Sequence, residues 1–261
     1  MMKIVFLSIA EFIQIMKYFN FRKILYLVLL FNIIGFQNIN AQDNDYGSWT
    51  SLNFKKDLSK TLSASVGGEF RTRDKFNSIN SYNVKAKLSY DVLPFLKAYF
   101  DYKYTNKKKL SEITKKNNYI PSYWSPRHSF RLSLKGEYEW NDFEFSLRER
   151  YQYTYQTSCS VEKYDREIGE RIDNEYVDAD SDNILRSRLH LKWNIKKNYK
   201  PFVSYELFNN LDDWGFKKTR FKLGVEYKLN KHNSIDVYYC HQNDRVDMNE
   251  HILGINYDIK F

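Results

Sequence analysis

From Tyr46 to the last residue, apolar side chains recur at every second position rather than every third or fourth. That period puts one apolar and one polar face on a β-strand and excludes an amphipathic helix. Leu62, Ala64, Val66, Gly68 and Phe70 alternate with a face carrying Glu69 and Arg71. Tyr82 to Tyr90 alternate with Lys85 and Lys87, and Leu96 to Tyr104 with Asp101 and Lys103. Phe130, Leu132 and Leu134 oppose Arg131, Lys135 and Glu137; Phe143, Phe145 and Leu147 oppose Glu144 and Arg148. Leu189, Leu191 and Trp193 oppose Arg186, Arg188, His190 and Lys192, while Phe221 to Leu229 oppose Arg220, Lys222 and Glu226. Glu149 interrupts an otherwise apolar face, which predicts a bulge or a rim position there.

The alternation resolves into eleven strand-like segments, starting near Tyr46, Thr61, Ser81, Phe95, His128, Phe143, Ile184, Pro201, Thr219, Ser234 and Glu250. The connections at 56–60, 92–94, 140–142, 196–200 and 230–233 are short; those at 73–80, 106–126, 156–183, 210–217 and 243–249 are longer or more polar. Short turns on one side and long loops on the other are the pattern of an antiparallel transmembrane β-barrel. Bacterial single-chain barrels have an even number of strands. The expectation is therefore twelve strands, with ten as the alternative, one segment having been missed or one miscounted.

The segment ahead of the alternation reads as an export leader. Lys17, Arg22 and Lys23 precede an apolar run at 24–36, and Ile39, Asn40 and Ala41 follow it. Basic, apolar and small is the order of a secretory signal. The run is short for a spanning helix, which needs about 20 residues, so cleavage after Ala41 is favoured over an uncleaved anchor. The leader is complete from Met16, a better start than Met1. The chain then divides into a signal peptide at 1–41 and a barrel at 42–261.

A soluble sandwich alternates too, so other features must choose. Aromatic residues make up 18% of the chain, with 22 Tyr and 19 Phe, although mean hydropathy is −0.65. Tyr and Trp end the apolar faces, as membrane-interface girdles do. Nearly every polar face carries both charge signs, which suits a lumen of paired side chains. The chain ends on Phe261, after Tyr257 and Ile259, a terminus of the kind read by the barrel-assembly machinery. The predicted partners are outer-membrane lipid and that machinery. Net charge is +9 overall. Both signs are spread along every segment rather than concentrated on one element, which argues against nucleic acid.

Several stretches carry a family resemblance: GSWTSLNFKKDLSKTLSASVGGEFR (47–71), PRHSFRLSLKGEYEW (126–140), FSLRERYQYTY (145–155), LRSRLHLKWNI (185–195), PFVSYELFNNL (201–211) and KLGVEYKLNKHNSIDVYYCHQ (222–242). The chain resembles the outer-membrane barrel family numbered 2490 among domains of unknown function, common in Bacteroidetes-type bacteria. The resemblance implies a fold and an outer-membrane location, and no activity.

No residue set reads as a catalytic, metal or cofactor site. His128 and Ser129 are adjacent on a strand and point to opposite faces. His190 has cations on both sides, and His241 with Asp244 lacks a nearby Ser. Asp178, Asp180 and Asp182 alternate as calcium ligands can, without the glycine and distal Glu of an EF-hand loop. Cys159 and Cys240 fit no zinc spacing and are read as free thiols, a disulfide being the alternative. What remains is the charged inward row: Glu69, Arg71, Lys85, Lys87, Asp101, Lys103, Arg131, Lys135, Glu137, Glu144, Arg148, Arg186, Arg188, His190, Arg220, Lys222 and Glu226. It makes either a basic channel for small anionic solutes or a set of paired side chains filling a narrow barrel. An outer-membrane enzyme acting on lipid or peptide, and a scaffold displaying the loops at 106–126 and 156–183, are the alternatives. Cell fractionation is expected to recover the mature chain, beginning at Gln42, in the outer membrane; recovery in the soluble periplasm would overturn the barrel reading.

Overall fold

The computed structural model describes residues 44–195, 198–245 and 248–261. The predicted leader, its cleavage after Ala41 and the start at Met16 lie outside the described residues. Eleven strands form one closed barrel: β1 (Asn44–Asp57), β2 (Leu62–Arg73), β3 (Ser78–Leu93), β4 (Leu96–Lys109), β7 (Tyr123–Trp140), β8 (Phe143–Gln156), β11 (Asp180–Trp193), β12 (Tyr199–Asn210), β13 (Phe216–Lys228), β14 (Asn233–Asp244) and β15 (Asn249–Lys260). Four short strands, β5 (Glu112–Ile113), β6 (Asn118–Ile120), β9 (Cys159–Asp165) and β10 (Arg171–Val177), form a second sheet.

The eleven segments of alternation are the eleven barrel strands, and the expected twelve is corrected. The parity rule assumes that every neighbouring pair is antiparallel. Here β1 pairs with β15 in parallel, from Asn44↔Asn249 to Lys55↔Lys260, and antiparallel with β2 on its other edge. One parallel pair lets an odd number of strands close. It also puts Asn44 at the long-loop end of the barrel and Phe261 at the short-turn end, where the Phe261 amide donates to the Lys55 carbonyl at 2.9 Å. The strands are strongly tilted: Cα partners followed from Asp57, at the short-turn end of β1, across nine further strands arrive at Asp244, at the long-loop end of β14.

The connections at 106–126 and 156–183 are not plain loops. The β4–β7 ladder ends at Lys109↔Tyr123 and resumes in the same register at Glu112↔Ile120 of β5 and β6. The β8–β11 ladder ends at Gln156↔Asp180 and resumes at Cys159↔Val177 of β9 and β10. Between the two hairpins, Arg127↔Gln156 continues as Asn118↔Asp165. The second sheet is thus the wall of β4, β7, β8 and β11 carried on beyond the barrel. By contrast the turn at 74–77 is tight: Asp74, Lys75 and Phe76 all take left-handed φ angles of 53°, 52° and 71°.

The barrel's outer face is apolar and uncovered. Val84 is 60% exposed, Leu132 56%, Leu223 55% and Leu253 58%. Aromatic girdles bound this band. At the short-turn end Phe143 stacks on Trp193 at 5.6 Å, Tyr199 meets Tyr227 at 5.0 Å and Phe54 lies 6.3 Å from Phe261. At the long-loop end Tyr46 stacks on His251 at 5.1 Å and Tyr82 meets Trp124 at 4.8 Å. An apolar band between two aromatic girdles is the surface of a membrane-spanning barrel. Glu149 sits on this outer face midway along β8 and in unbroken register with Ser187, at neither the expected bulge nor a rim position. The Ser187 hydroxyl donates to its carboxylate at 2.7 Å.

Leu223 faces outward and its neighbour Lys222 lines the interior. Leu223→Arg is expected to lower unfolding stability by about 2–4 kcal/mol near the bilayer midplane, and Lys222→Leu by much less. A denaturant titration in lipid that finds the reverse order would show the register of β13 to be shifted by one residue.

Candidate functional site

The inward face of the strands surrounds a cavity of about 730 Å³, to which all eleven barrel strands contribute side chains. Its lining has sixteen Lys or Arg against six Asp or Glu. The lining lies toward the long-loop end of the barrel and does not reach the short turns: it stops at Asn53 on β1, Arg148 on β8, Arg188 on β11 and Lys222 on β13. Nearer the short turns, side chains meet each other. Lys97, at 2.9 Å, and Lys135 both pair with Glu137, and Lys192 pairs with Glu226 at 2.6 Å. The His190 and Phe202 rings lie 5.3 Å apart. Tyr238 lies flat against β15 because residue 254 is glycine; a Cβ there would fall inside the Tyr238 ring.

Two buried carboxylates organise five arginines. Glu206 accepts from Arg148 at 2.6 Å and Arg186 at 3.1 Å, and Arg220 lies 3.4 Å away. Asp101 pairs with Arg131, and with Arg150 at 3.3 Å. Glu69 holds Arg71 at 2.7 Å. Aromatic faces support the guanidinium groups: Arg71 lies 4.0 Å and Arg220 4.7 Å from the centroid of Trp49, and Arg186 lies 4.5 Å over Phe208. These contacts still leave like charges directly opposite across the ladders, in Arg150↔Arg186, Arg148↔Arg188 and Lys85↔Lys103. Such pairs are destabilising in themselves.

Of the charged row read from the sequence, Glu69, Arg71, Lys85, Lys87, Asp101, Lys103, Arg131, Arg148, Arg186, Arg188, Arg220 and Lys222 line the cavity. Lys135, Glu137, Glu144, His190 and Glu226 share the inward parity but lie outside its lining, toward the short turns. Trp49 is the principal residue that sequence reasoning missed. It is 3% exposed and turned inward, although Trp was read as an interfacial residue. The signal was available in its parity, which it shares with Ser51 and Asn53. His128 takes the outer face, where its Nδ1 lies 2.8 Å from the Tyr102 hydroxyl, whereas Ser129 points inward to Thr154 at 3.0 Å. Cys159 and Cys240 are both free thiols.

A family described as "Protein of unknown function (DUF2490)" matches residues 46–251. No curated protein matches the chain. Among solved structures, the translocator domain of the autotransporter NalP from Neisseria meningitidis is 10% identical, with 77% of this chain and 80% of that one covered and a TM-score of 0.55. The β domain of the Bordetella autotransporter BrkA is 13% identical, covering 77% and 82% at a TM-score of 0.49. The NanC porin is 14% identical, covering 83% and 97% at 0.48. At these identities the NalP likeness establishes the fold alone, that of an outer-membrane-type β-barrel.

Replacing Glu206 leaves three arginines without their common counter-ion. Glu206→Gln is expected to lower stability by about 3–5 kcal/mol, as removal of one partner from a buried charge network does. Asp57→Asn, which breaks only the exposed pairs of Asp57 with Lys260 at 2.7 Å and Lys55 at 3.9 Å, is expected to leave it unchanged. Equal denaturation midpoints for the two variants would show that the Glu206 cluster is solvated rather than buried.

Proposed function

The chain belongs to the DUF2490 family, for which no function is assigned, and we propose that it is an outer-membrane barrel providing a narrow pathway for small anionic solutes. The observation that carries this reading is the lining of the cavity, with its sixteen cations against six carboxylates. A ring of one charge sign sets which ion a pore concentrates, and a low-dielectric wall focuses that field. The cations of the lining come from β2, β3, β4, β7, β8, β11 and β13, so the solute would meet them from most of the wall, the arc of β1, β15 and β14 adding none. The long-loop end would face the outside and the short turns the periplasm, as in bacterial barrels generally. Export by the leader, and assembly through the C-terminal strand ending at Phe261, belong to the same proposal. The pathway performs no chemistry on its solute.

A second reading rests on the ion pairs nearer the short turns, Lys135–Glu137 and Lys192–Glu226. These would close the lumen and make the barrel a silent, structural one. Planar-bilayer recording separates the two. The purified protein is expected to conduct in small steps with anion preference, and replacing Arg186 and Arg188 with Glu is expected to weaken or reverse that preference. A silent wild type supports the closed barrel, and large unselective conductance would make it a general porin.

A further inference from the structure

We propose that the basic cavity holds a discrete site for a multivalent oxyanion of the phosphate class, between Lys85 and Lys103 on one wall and Arg188 and Lys222 on the other. The inference rests on the anion-pathway reading and names its solute.

The cavity's carboxylates are already committed where its cations are densest. Glu206 serves three arginines, Asp101 two and Glu69 one. Lys85, Lys103, Arg188 and Lys222 line the cavity and make no ion pair among the described residues. Lys85 and Lys103 are direct Cα partners on β3 and β4, and Arg188 is the direct partner of Arg148 on β11 and β8. The Nε of Arg188 is buried without a hydrogen-bond partner, as are those of Arg131, Arg148 and Arg186. In the ring order β7 and β8 separate β4 from β11 on one side, and four strands separate β13 from β3 on the other, so the two groups face each other across the lumen.

Opposed like charges and unpartnered buried donors both cost stability. An anion between the walls turns both into attractions. The shape of the cluster selects the class of anion. A single carboxylate is planar, has two oxygens and is matched by one arginine fork. Here the free cations approach from four strands, and three of the four are lysines, which act as point charges rather than planar forks. A phosphate group brings about −1.5 to −2 charges and three strong acceptor oxygens arranged in three dimensions. Lys222 is held for this role, with its ammonium 4.4 Å from the Tyr238 centroid and 5.3 Å from that of Trp49. A cavity of about 730 Å³ also leaves room for an organic body esterified to the phosphate, since small-ligand pockets run from about 300 to 1,000 Å³.

Calorimetric titration of the mature protein in detergent tests the site without reference to conduction. The probes are inorganic phosphate, glycerol 3-phosphate and acetate. Saturable binding of either phosphate compound, with acetate far weaker, is expected. Lys103→Gln and Lys222→Gln are each expected to weaken phosphate binding about tenfold, the loss of one charged hydrogen bond. In phosphate-free buffer Lys103→Gln is also expected to raise the melting temperature, because it relieves the repulsion from Lys85. A ligand site predicts that change and a structural lysine predicts the opposite. A tighter ester identifies a phosphorylated organic solute, and equal affinities identify the free anion. Acetate binding as well as phosphate, no binding of either phosphate probe, or a lowered melting temperature for Lys103→Gln would each overturn the site. Phosphate binding by a barrel that is silent in bilayers would keep the site and remove the pathway; anion-selective conductance without phosphate binding would do the reverse.

Discussion

The parallel ladder between β1 and β15 is the contact on which the rest of the molecule depends. In a bilayer no water is at hand to satisfy an unpaired backbone group, so a sheet can cross only if it has no edge. Ten of the eleven neighbouring pairs in the barrel come from antiparallel neighbours, and they leave β1 and β15 as the two free edges. The twelve Cα pairs from Asn44↔Asn249 to Lys55↔Lys260 join them. Parallel pairing is slightly weaker per residue, yet it is the pairing that an odd strand count requires. The cavity, its charged lining and the outer apolar band all presuppose that this seam holds.

Closure turns one face of every strand inward, and the charges on that face are not evenly distributed. Toward the long-loop end arginines and lysines oppose one another, as in Arg148↔Arg188. Toward the short turns the opposed pairs are mixed, acidic in Glu139↔Glu144 and Glu226↔Asp236, basic in Lys97↔Lys135 and of opposite sign in Lys192↔Glu144. The interior is therefore polarised along its axis. Glu206 and Asp101 hold the basic half together while neutralising only part of it. Trp49, Phe208 and Tyr238 complete that half with rings against which cations rest, where further carboxylates would have cancelled the field.

Much of this was legible in the sequence because a membrane barrel enforces alternation residue by residue. Phe143 and Phe145 had to face one way and Glu144 the other, whatever their neighbours. What escaped depends on relations between strands. Nothing within β1 or β15 marks their pairing as parallel, so the parity rule led from eleven segments to twelve strands. His190 and Arg188 alternate identically along β11, and only strand tilt decides that one lines the cavity and the other packs on Phe202. Glu149 looked like the mark of a bulge because its hydrogen-bond donor, Ser187, lies on another strand. The continuation of the wall through β5, β6, β9 and β10 was hidden for a different reason. Beyond the bilayer neither face must be apolar, so Glu112, Arg171 and Glu175 can occupy strands with no period to betray them.

That continuation makes the rim uneven. Four strands of the barrel are continued past it, with one register shift between Ile172 and Glu175, while the connections at 74–77 and 211–215 turn back at once. The opening is therefore shaped like a jug, with a tall back over β4, β7, β8 and β11 and a low lip over β12, β13, β2 and β3. Traffic to the interior would be directional before any charge acts on it. A molecule too bulky for the back would still find the lip open, and insertions in the short turns there would narrow the entrance more than equal insertions at the tips of the long hairpins.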